Sequence, residues 1–325
     1  MVILYEFAWK NRVMVRKIAF LLLLPLFAQA LTAEEQPDDQ TAVTSSRELT
    51  LMVTSLLSMK AIFTERFNFP FLPGTSPLTA DNNIGLALSA ELSPVSLNGV
   101  AEAVWTPVAF FQFAAGGRIG SGWNLNLSGG NAYGIGLNRP DSAGNGEHNG
   151  GAFDGLLWKV QTGGALQADL AALYPGDWHH VIARSYHEIN YRGYTRAKSG
   201  ESWYYETDEG ENCNGFNYYG NLLVGYRMPL FFNMAGLLVE ADLYLYDTPG
   251  RDKWGDDTIR WTFSGVFGFT ITKHLDLTLA AQFRTRNNYQ EPHWRDLYYR
   301  NRTVDRSRPV RLEFYRAAAV LTYKF

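Results

Sequence analysis

The chain lacks disulfide bonds and long apolar helices, two features that stabilise many exported and membrane proteins. It contains one cysteine in 325 residues, Cys213, so no intramolecular disulfide can form. Beyond residue 30, no apolar run approaches the about 20 residues that a membrane-spanning helix needs. The net charge is only −3, which gives no reason to expect a nucleic-acid partner. If the mature chain crosses a membrane, it must therefore do so with closed strands.

The first 30 residues have the pattern of a secretory signal peptide. Arg16 and Lys17 precede a short apolar run, which ends at the small residues Ala28-Gln29-Ala30. We therefore predict that residues 1–30 are cleaved after export, with Met14 as a possible true start. Residues 31–46 are polar and acidic and predict a flexible lead-in. The remaining domain would then span residues 47–325.

The last seventeen residues alternate between apolar and polar side chains, which is the period of a strand with two different faces. One set ends in Tyr323 and Phe325, and the other contains Arg316 and Lys324. A lipid-facing strand can end in an exposed aromatic residue, whereas a soluble edge strand rarely does. This ending resembles the C-terminal signal of bacterial outer-membrane β-barrels. The resemblance implies location in the outer membrane, contact with its lipid, and assembly by the barrel-assembly machinery through Tyr323 and Phe325.

Alternation along the rest of the chain predicts an all-β fold, a transmembrane antiparallel β-barrel of about ten strands. Leu97–Ile119 contains Pro107, which cannot donate a ladder hydrogen bond, so it is either one bent strand or a hairpin. We favour one bent strand, because the strand count then stays even. A further hairpin around Trp123–Leu137 would give twelve strands instead. The predicted strands are Glu48–Phe63, Ile84–Leu92, Leu97–Ile119, Phe153–Leu173, Trp178–Arg196, Asn214–Met228, Asn233–Asp247, Asp257–Thr272, Leu275–Asn288 and Pro309–Phe325.

Connections between these strands alternate in length, as in outer-membrane barrels with short periplasmic turns and long outer loops. Short turns near Ser93, Pro175, Pro229 and Lys273 are therefore assigned to the periplasm. The alternation fails at the start of the last strand. Counted back from Phe325, it would turn the charged Arg311 and Glu313 toward lipid and the apolar Leu312 and Phe314 toward the lumen. A β-bulge at that point would exchange the two faces.

The inward positions carry charges of both signs. They predict either a narrow or gated pore for small polar solutes, or a lumen filled by ion pairs. A filled lumen would leave Glu240 or Asp242 without partners if Arg284 and Arg286 were lost. The arginines at 184, 192, 284 and 286 would bias a pore toward anions. The lumen candidates are Lys60, Glu102, Arg118, Lys159, Asp169, Arg184, Glu188, Arg192, Glu240, Asp242, Arg260, Arg284, Arg286 and Arg316.

Two long loops are candidates for binding extracellular ligands. Residues 201–211 mix aromatic and acidic side chains, and residues 289–308 are basic. They could pair over the barrel mouth and plug it, or present aromatic anchors to a partner, as an adhesin does. The loop candidates are Trp203, Tyr204, Tyr205, Glu206, Asp208, Glu209, Arg295, Arg300 and Arg302.

An enzymatic function has weak support in the sequence. The chain resembles the omptin outer-membrane proteases in gross dimensions only, because its Asp-x-His at Asp177–His179 lies on a predicted periplasmic turn. Glu291-Pro292-His293 and Glu147-His148 lie on outer loops without a matching Asp-x-Asp. The His-x-Ser pair of outer-membrane phospholipases does not occur. We expect no catalytic residues, no metal site and no cofactor, so an outer-membrane hydrolase remains the least favoured alternative.

Overall fold

The computed structural model describes residues 42–76, 78–127, 130–206, 210–246, 251–255 and 257–325. The predicted signal peptide, most of the lead-in, and the loop candidates Asp208 and Glu209 lie outside the described residues. The first strand begins at Thr44, three residues before the predicted start of the domain at residue 47. In this part of the chain, no helix is long and apolar enough to cross a membrane.

Seventeen strands and one short helix follow one another along the described residues. They are β1 (Thr44–Thr54), β2 (Met59–Pro70), β3 (Asn83–Leu92), β4 (Ser96–Val108), β5 (Phe111–Gly122), β6 (Leu125–Leu127), β7 (Gly130–Ala132), β8 (Ile135–Pro140), β9 (Gly146–Asn149), β10 (Leu157–Asp169), β11 (Val181–Tyr194), β12 (Trp203–Tyr205), β13 (Gly215–Arg227), β14 (Phe232–Tyr244), α1 (Arg251–Trp254), β15 (Arg260–Thr272), β16 (Leu275–Asn287) and β17 (Val310–Lys324).

Twelve of these strands close an antiparallel barrel in the order β1, β2, β3, β4, β5, β10, β11, β13, β14, β15, β16, β17 and back to β1. The predicted antiparallel barrel is confirmed, and its strand number is the alternative of twelve. The two extra strands do not come from the region of Trp123–Leu137, where the small hairpin β6–β7 stands outside the barrel. They come from dividing Glu48–Phe63 at turn 55–58 and Leu97–Ile119 at turn 109–110.

Both missed hairpins have a large apolar residue at the centre of the turn. Turn 55–58 reads Ser-Leu-Leu-Ser, and its Leu57 has a φ of +58°, a left-handed conformation that glycine or asparagine usually supplies. Turn 109–110 is Ala-Phe, just after an irregular register between Trp105 and Val108 that accommodates Pro107. The favoured single bent strand was therefore wrong, the hairpin is present, and a bulge lies beside its turn.

The two added hairpins change the end of the barrel at which two connections lie. Loops 123–156, 195–214, 245–259 and 288–309 share one end, here called the loop end, while Thr44 and Lys324 lie at the other, the terminal end. Turn 93–95 lies at the loop end, whereas the prediction placed it at the end opposite the long loops. Loop 71–82, predicted as an outer loop, lies at the terminal end. The two errors cancel, so all later connections keep their predicted ends.

The two faces of the barrel wall differ in polarity as the alternation predicts. Outward side chains are large, apolar and exposed, among them Leu51, Trp158, Val160, Ile189, Leu237, Phe267 and Phe283. The inward face buries polar groups such as Glu91, Asn98, Glu188, Asn190 and Ser264. Closure pairs the backbone groups of neighbouring strands, which lipid requires because it offers no hydrogen-bond partners. This is the architecture of a transmembrane β-barrel.

The last strand contains the bulge that its parity defect predicted. Gln282 pairs with Arg316, but the next residue, Phe283, pairs with Phe314, so Tyr315 is the extra residue. Beyond it, Arg311 and Glu313 face inward, and Leu312 and Phe314 face outward with 61% and 56% of their surface exposed. The bulge therefore moves two charges from the lipid into the lumen.

The seam between the first and last strands is shorter than β17. Pairing of β1 with β17 runs from Glu48↔Lys324 to Thr54↔Ala318, and the turn adds a bond from the Ser55 N–H to the Ala317 carbonyl at 2.9 Å. Above that point, residues 310–316 pair with β16 alone among the described strands. Because β1 and the turn 55–58 end below the start of β17, the barrel wall is shorter here at the loop end than beside it. This shorter part of the wall, next to residues 310–316, is called the rim notch.

Three loops pack together over the loop end. β12, from loop 195–214, joins β8 and β9, from loop 123–156, in a three-stranded sheet. Trp203 of this sheet is fully buried against Ile135, Leu157 and Tyr194. Loop 288–309 joins through the Tyr298 hydroxyl, which lies 2.7 Å from Ser202 Oγ. The described parts of loops 123–156, 195–214 and 288–309 are called the loop cap below.

Candidate functional site: the capped lumen

All of the lumen candidates face inward, as the pairing registers show. Strand pairing places several of them side by side on the wall. Lys159 pairs with Arg192, and Thr262 lies between Glu240 and Arg284. The inward set is Lys60, Glu102, Arg118, Lys159, Asp169, Arg184, Glu188, Arg192, Glu240, Asp242, Arg260, Arg284, Arg286 and Arg316. The structure divides them into separate groups at different heights rather than one continuous network.

A loop-end group on β2, β3 and β5 forms around Glu91. Arg118 Nη2 lies 2.8 Å from Glu91 Oε1, and Lys60 Nζ lies 3.5 Å from Glu91 Oε2. Glu91 was not among the site candidates, although its parity pointed inward. It pairs with one cation from β2 and one from β5 in a largely buried position, where a charge needs a partner.

The loop cap reaches this group through Glu206, immediately after β12. Lys60 Nζ lies 3.1 Å from Glu206 Oε2, and the Ser96 hydroxyl donates to Glu206 Oε1 at 2.5 Å. Beside it, the Tyr205 hydroxyl donates to Asn98 Oδ1 at 2.8 Å. Glu206 has a φ of +52°, a left-handed conformation that costs a non-glycine residue about 1–2 kcal/mol. These contacts tie the cap to the opposite wall, and we call Glu206, Lys60 and Ser96 the latch.

Two of the proposed aromatic anchors are not at the surface. Trp203 and Tyr204 are both 0% exposed. Trp203 Nε1 donates to Asn214 Oδ1, and Tyr204 packs against His148 and Tyr133. The sequence could not separate a binding anchor from a cap core, because exposed anchors and buried cores use the same aromatic residues. Tyr205 is also held inward, where burial raises its pKa above the ordinary value.

The basic loop contributes to the cap in two different ways. Arg302 is 4% exposed, and its Nη1 lies 3.9 Å from Glu211 Oε1 in the acidic loop. Arg300 donates to the Gly200 carbonyl in the same loop. These contacts agree with the expectation that the two loops pair over the mouth. Arg295 is exposed and stays at the outer surface.

Halfway along the lumen, Glu188 of β11 is 4% exposed and has several hydrogen-bond partners. Lys159 Nζ lies 2.6 Å from its Oε1, the Asn190 amide donates to the same oxygen, and Tyr186 donates to Oε2 at 2.9 Å. Glu102 on the other side accepts from Gln161 at 3.1 Å. Glu102, Arg184, Tyr186 and Glu188 line a cavity of about 220 Å³. At this level, hydrogen-bonded side chains narrow the lumen but leave a cavity in it.

Under the loop cap lies a larger chamber of about 350 Å³. Four arginines from three barrel strands line it, together with the aromatic rings of Tyr244, Tyr289 and Trp294. The arginines are Arg192, Arg260, Arg284 and Arg286. The acidic residues Glu206, Glu211 and Asp242 also border the chamber. The Arg260 guanidinium stacks 3.8 Å from the Tyr244 ring centre, and burial raises the pKa of Tyr289 to about 12.

The predicted partners of Arg284 and Arg286 were wrong. Glu313, which the bulge turns inward, lies 3.3 Å from Arg284 Nε and 2.9 Å from Arg286 Nε. Arg311 Nε approaches the same carboxylate at 3.4 Å. Glu240 instead accepts from Tyr219 at 2.8 Å. A sequence register without the bulge places Glu313 outside, so it could not be found as a partner.

The terminal end opens into a wider vestibule of about 710 Å³, bordered by Arg66, Asp81, Gln112 and Gln167. Asp169 is near this end, where its Oδ2 lies 2.7 Å from His180 Nδ1. Arg316 lies deeper, with its Nε 2.6 Å from Gln282 Oε1. Among the described residues, no three His, Cys, Asp or Glu side chains are arranged to hold a metal ion.

Comparison with known proteins gives only distant structural likenesses. No family model and no curated protein sequence matches the chain. Among solved structures, a KdgM porin is 11% identical over 86% of this chain and 99% of its own, with a TM-score of 0.36. Salmonella typhi OmpF in complex with daunomycin is 6% identical over 90% of this chain and 100% of its own, with a TM-score of 0.31. OmpT, an outer membrane protein of Vibrio cholerae, is 6% identical over the same shares, with a TM-score of 0.32. Likenesses this remote assign no function.

Proposed function

We propose that the protein is a non-enzymatic channel of the bacterial outer membrane that admits small polar solutes and is closed by its loop cap. The apolar outer belt supports a membrane location, and the Tyr-x-Phe ending supports the outer membrane in particular. Export through a cleaved signal peptide belongs to the same proposal.

The observation that carries the proposal is the row of cavities inside the barrel. A vestibule of about 710 Å³ at the terminal end, a middle cavity of about 220 Å³ and a chamber of about 350 Å³ under the cap all have polar and charged linings. A barrel that only holds itself in the membrane has no need of such space, because eight strands suffice to fill a lumen with side chains. Twelve strands give a lumen between the filled and the wide aqueous classes.

The construction of the cap supports a gate rather than a fixed plug. Its hydrophobic contacts are internal or to the rim, as Ile135, Leu157, Tyr194 and Trp203 show. Its contacts with the lumen wall are polar, through Tyr205 and Glu206 to β2 and β4 and through Glu211, which lies 3.6 Å from Arg260 of β15. Polar contacts can be exchanged for water at small net cost, whereas a buried apolar core cannot. Binding of an extracellular partner is less well supported, since Trp203 and Tyr204 are buried.

Conductance of refolded protein in a planar bilayer tests the proposal. We expect small, discrete current steps, and replacement of Arg284 and Arg286 by Ser should shift ion selectivity toward cations because two positive charges leave the chamber wall. Arg139→Ser with Arg196→Ser is the matched control, because it removes the same charge from exposed loop positions. A barrel that stays silent both as wild type and with the latch cut by Glu206→Gln would overturn the proposal. Equal selectivity shifts in the two double variants would overturn the role of the chamber.

A further inference from the structure

Two cavities meet at one small group of residues near the rim notch. An outer pocket of about 620 Å³ is bordered by Trp294, Arg295, Arg311 and Glu313. Trp294 also lines the inner chamber. Glu313 faces the outer pocket, yet its carboxylate contacts the chamber arginines Arg284 and Arg286. We call Trp294, Arg284, Arg286, Arg311 and Glu313 the portal, because Trp294 lines both cavities and the Glu313 carboxylate joins arginines of both.

The portal gathers guanidinium groups around the Glu313 carboxylate and the Trp294 ring, and Asp296 also borders the outer pocket. Arg284, Arg286 and Arg311 approach the Glu313 carboxylate at 3.3, 2.9 and 3.4 Å. The guanidiniums of Arg286 and Arg311 also lie 5.1 and 5.5 Å from the centre of the Trp294 ring. Ring contacts of this kind orient a guanidinium without using its in-plane N–H groups.

Planar guanidinium groups match the oxygen geometry of carboxylates and phosphates, and several of them on one carboxylate define an oxyanion position. Glu313 occupies that position in the closed protein. A solute oxyanion that reaches the portal meets the same donors, and the side chain of Glu313 is its internal competitor. Because a cavity lies on each side, such a solute can approach from outside and leave toward the chamber.

We propose that the portal is a binding site for the carboxylate or phosphate group of a small solute, which replaces Glu313 on Arg284, Arg286 and Arg311. This deepens the proposed channel by naming the class of solute that enters it. Binding at equilibrium does not require conduction, so the two proposals can fail separately.

Titration calorimetry with sodium phosphate, on protein refolded in a neutral detergent without added lipid and with sodium chloride matching the ionic strength, tests the site. We expect saturable phosphate binding that Arg286→Gln weakens roughly tenfold, through loss of one charge-assisted contact. Glu313→Gln should instead tighten binding, because the internal competitor is lost. Arg316→Gln, an inward arginine on the same strand outside both cavities, is the matched control and should leave the affinity unchanged.

Tightening by Glu313→Gln is the decisive sign, because a merely structural role of Glu313 predicts weaker binding. Weaker or unchanged binding in a Glu313→Gln variant that melts like the wild type would overturn the portal. If that variant does not fold, Arg286→Gln and Arg311→Gln must both weaken binding while Arg316→Gln does not, and any other pattern overturns the site. If the protein conducts but shows no saturable phosphate binding, only the proposed binding site is rejected. If it binds phosphate but does not conduct, only the proposed channel is rejected.

Discussion

Cutting the latch by Glu206→Gln should open the lumen without unfolding the barrel. The Lys60–Glu206 pair is mostly buried, with 13% and 17% of the side chains exposed, and the carboxylate also accepts from Ser96. Breaking a fully buried pair costs about 3–5 kcal/mol, but Lys60 keeps Glu91 at 3.5 Å, so the loss is smaller. A contact of this kind contributes about 2 kcal/mol. The ratio of closed to open cap should therefore fall roughly 30-fold.

Single-channel recording measures that ratio directly, as the fraction of time spent in the conducting state. Glu201→Gln is the matched control, because Glu201 also pairs with an arginine at 2.9 Å but on the exposed surface of the same loop. Exposed pairs of this kind contribute at most about 1 kcal/mol. We expect a raised open fraction in Glu206→Gln and wild-type behaviour in Glu201→Gln. Equal open fractions in the two variants would refute the latch.

Three further predictions test the topology, the assembly signal and the cap. In a Cys213→Ser background, a cysteine at Leu57 should react with an impermeant reagent on intact cells and one at Ser76 should not; the reverse would refute the two added hairpins. Deletion of Phe325 should reduce the amount of heat-modifiable folded barrel in the outer-membrane fraction, and unchanged amounts would contradict its role as a signal. Burial between Tyr133 and Tyr204 lowers the pKa of His148 below 6.5, so the unfolded cap binds the proton more readily and cap stability falls as the pH drops below 6.5. The temperature at which the cap melts should then be lower at pH 5 than at pH 7.5, with a smaller difference in His148→Phe, and equal differences in both proteins would rule out His148 as the cause.

The sequence predicted the strands and the direction of their side chains far better than the turns between the strands. Period-two alternation determines which side chains face lipid, and so every inward candidate faced the lumen. Turns are recognised by Gly, Pro, Asn and Asp, and the turns at Leu57 and Phe110 contain none of these. The requirement for an even number of strands could not reveal these errors either. Each missed hairpin removes one strand from the count, so two missed hairpins leave the number even. The bulge was detectable only because Glu313 and Arg311 would otherwise face lipid.

The candidate site was harder to predict because its contacts join distant parts of the chain. Nothing near Glu206 in sequence indicates that its carboxylate reaches Lys60, and nothing near Trp294 indicates the arginines around it. Loop composition correctly suggested that the acidic and basic loops attract each other. It could not indicate which aromatic side chains are buried, since that depends on the sheet that β12 forms with β8.

The rim notch makes one part of the barrel wall easier to move than the rest. Most of each barrel strand is held by ladders on both edges, and moving such a segment breaks both. Residues 310–316 are held by β16 alone among the described strands, so this stretch can bend outward for about half the hydrogen-bond cost. Arg311 and Glu313 lie on this stretch. Amide exchange should therefore be faster there than in the lower half of β17, and the wall beside the portal is the part most able to yield to an incoming solute.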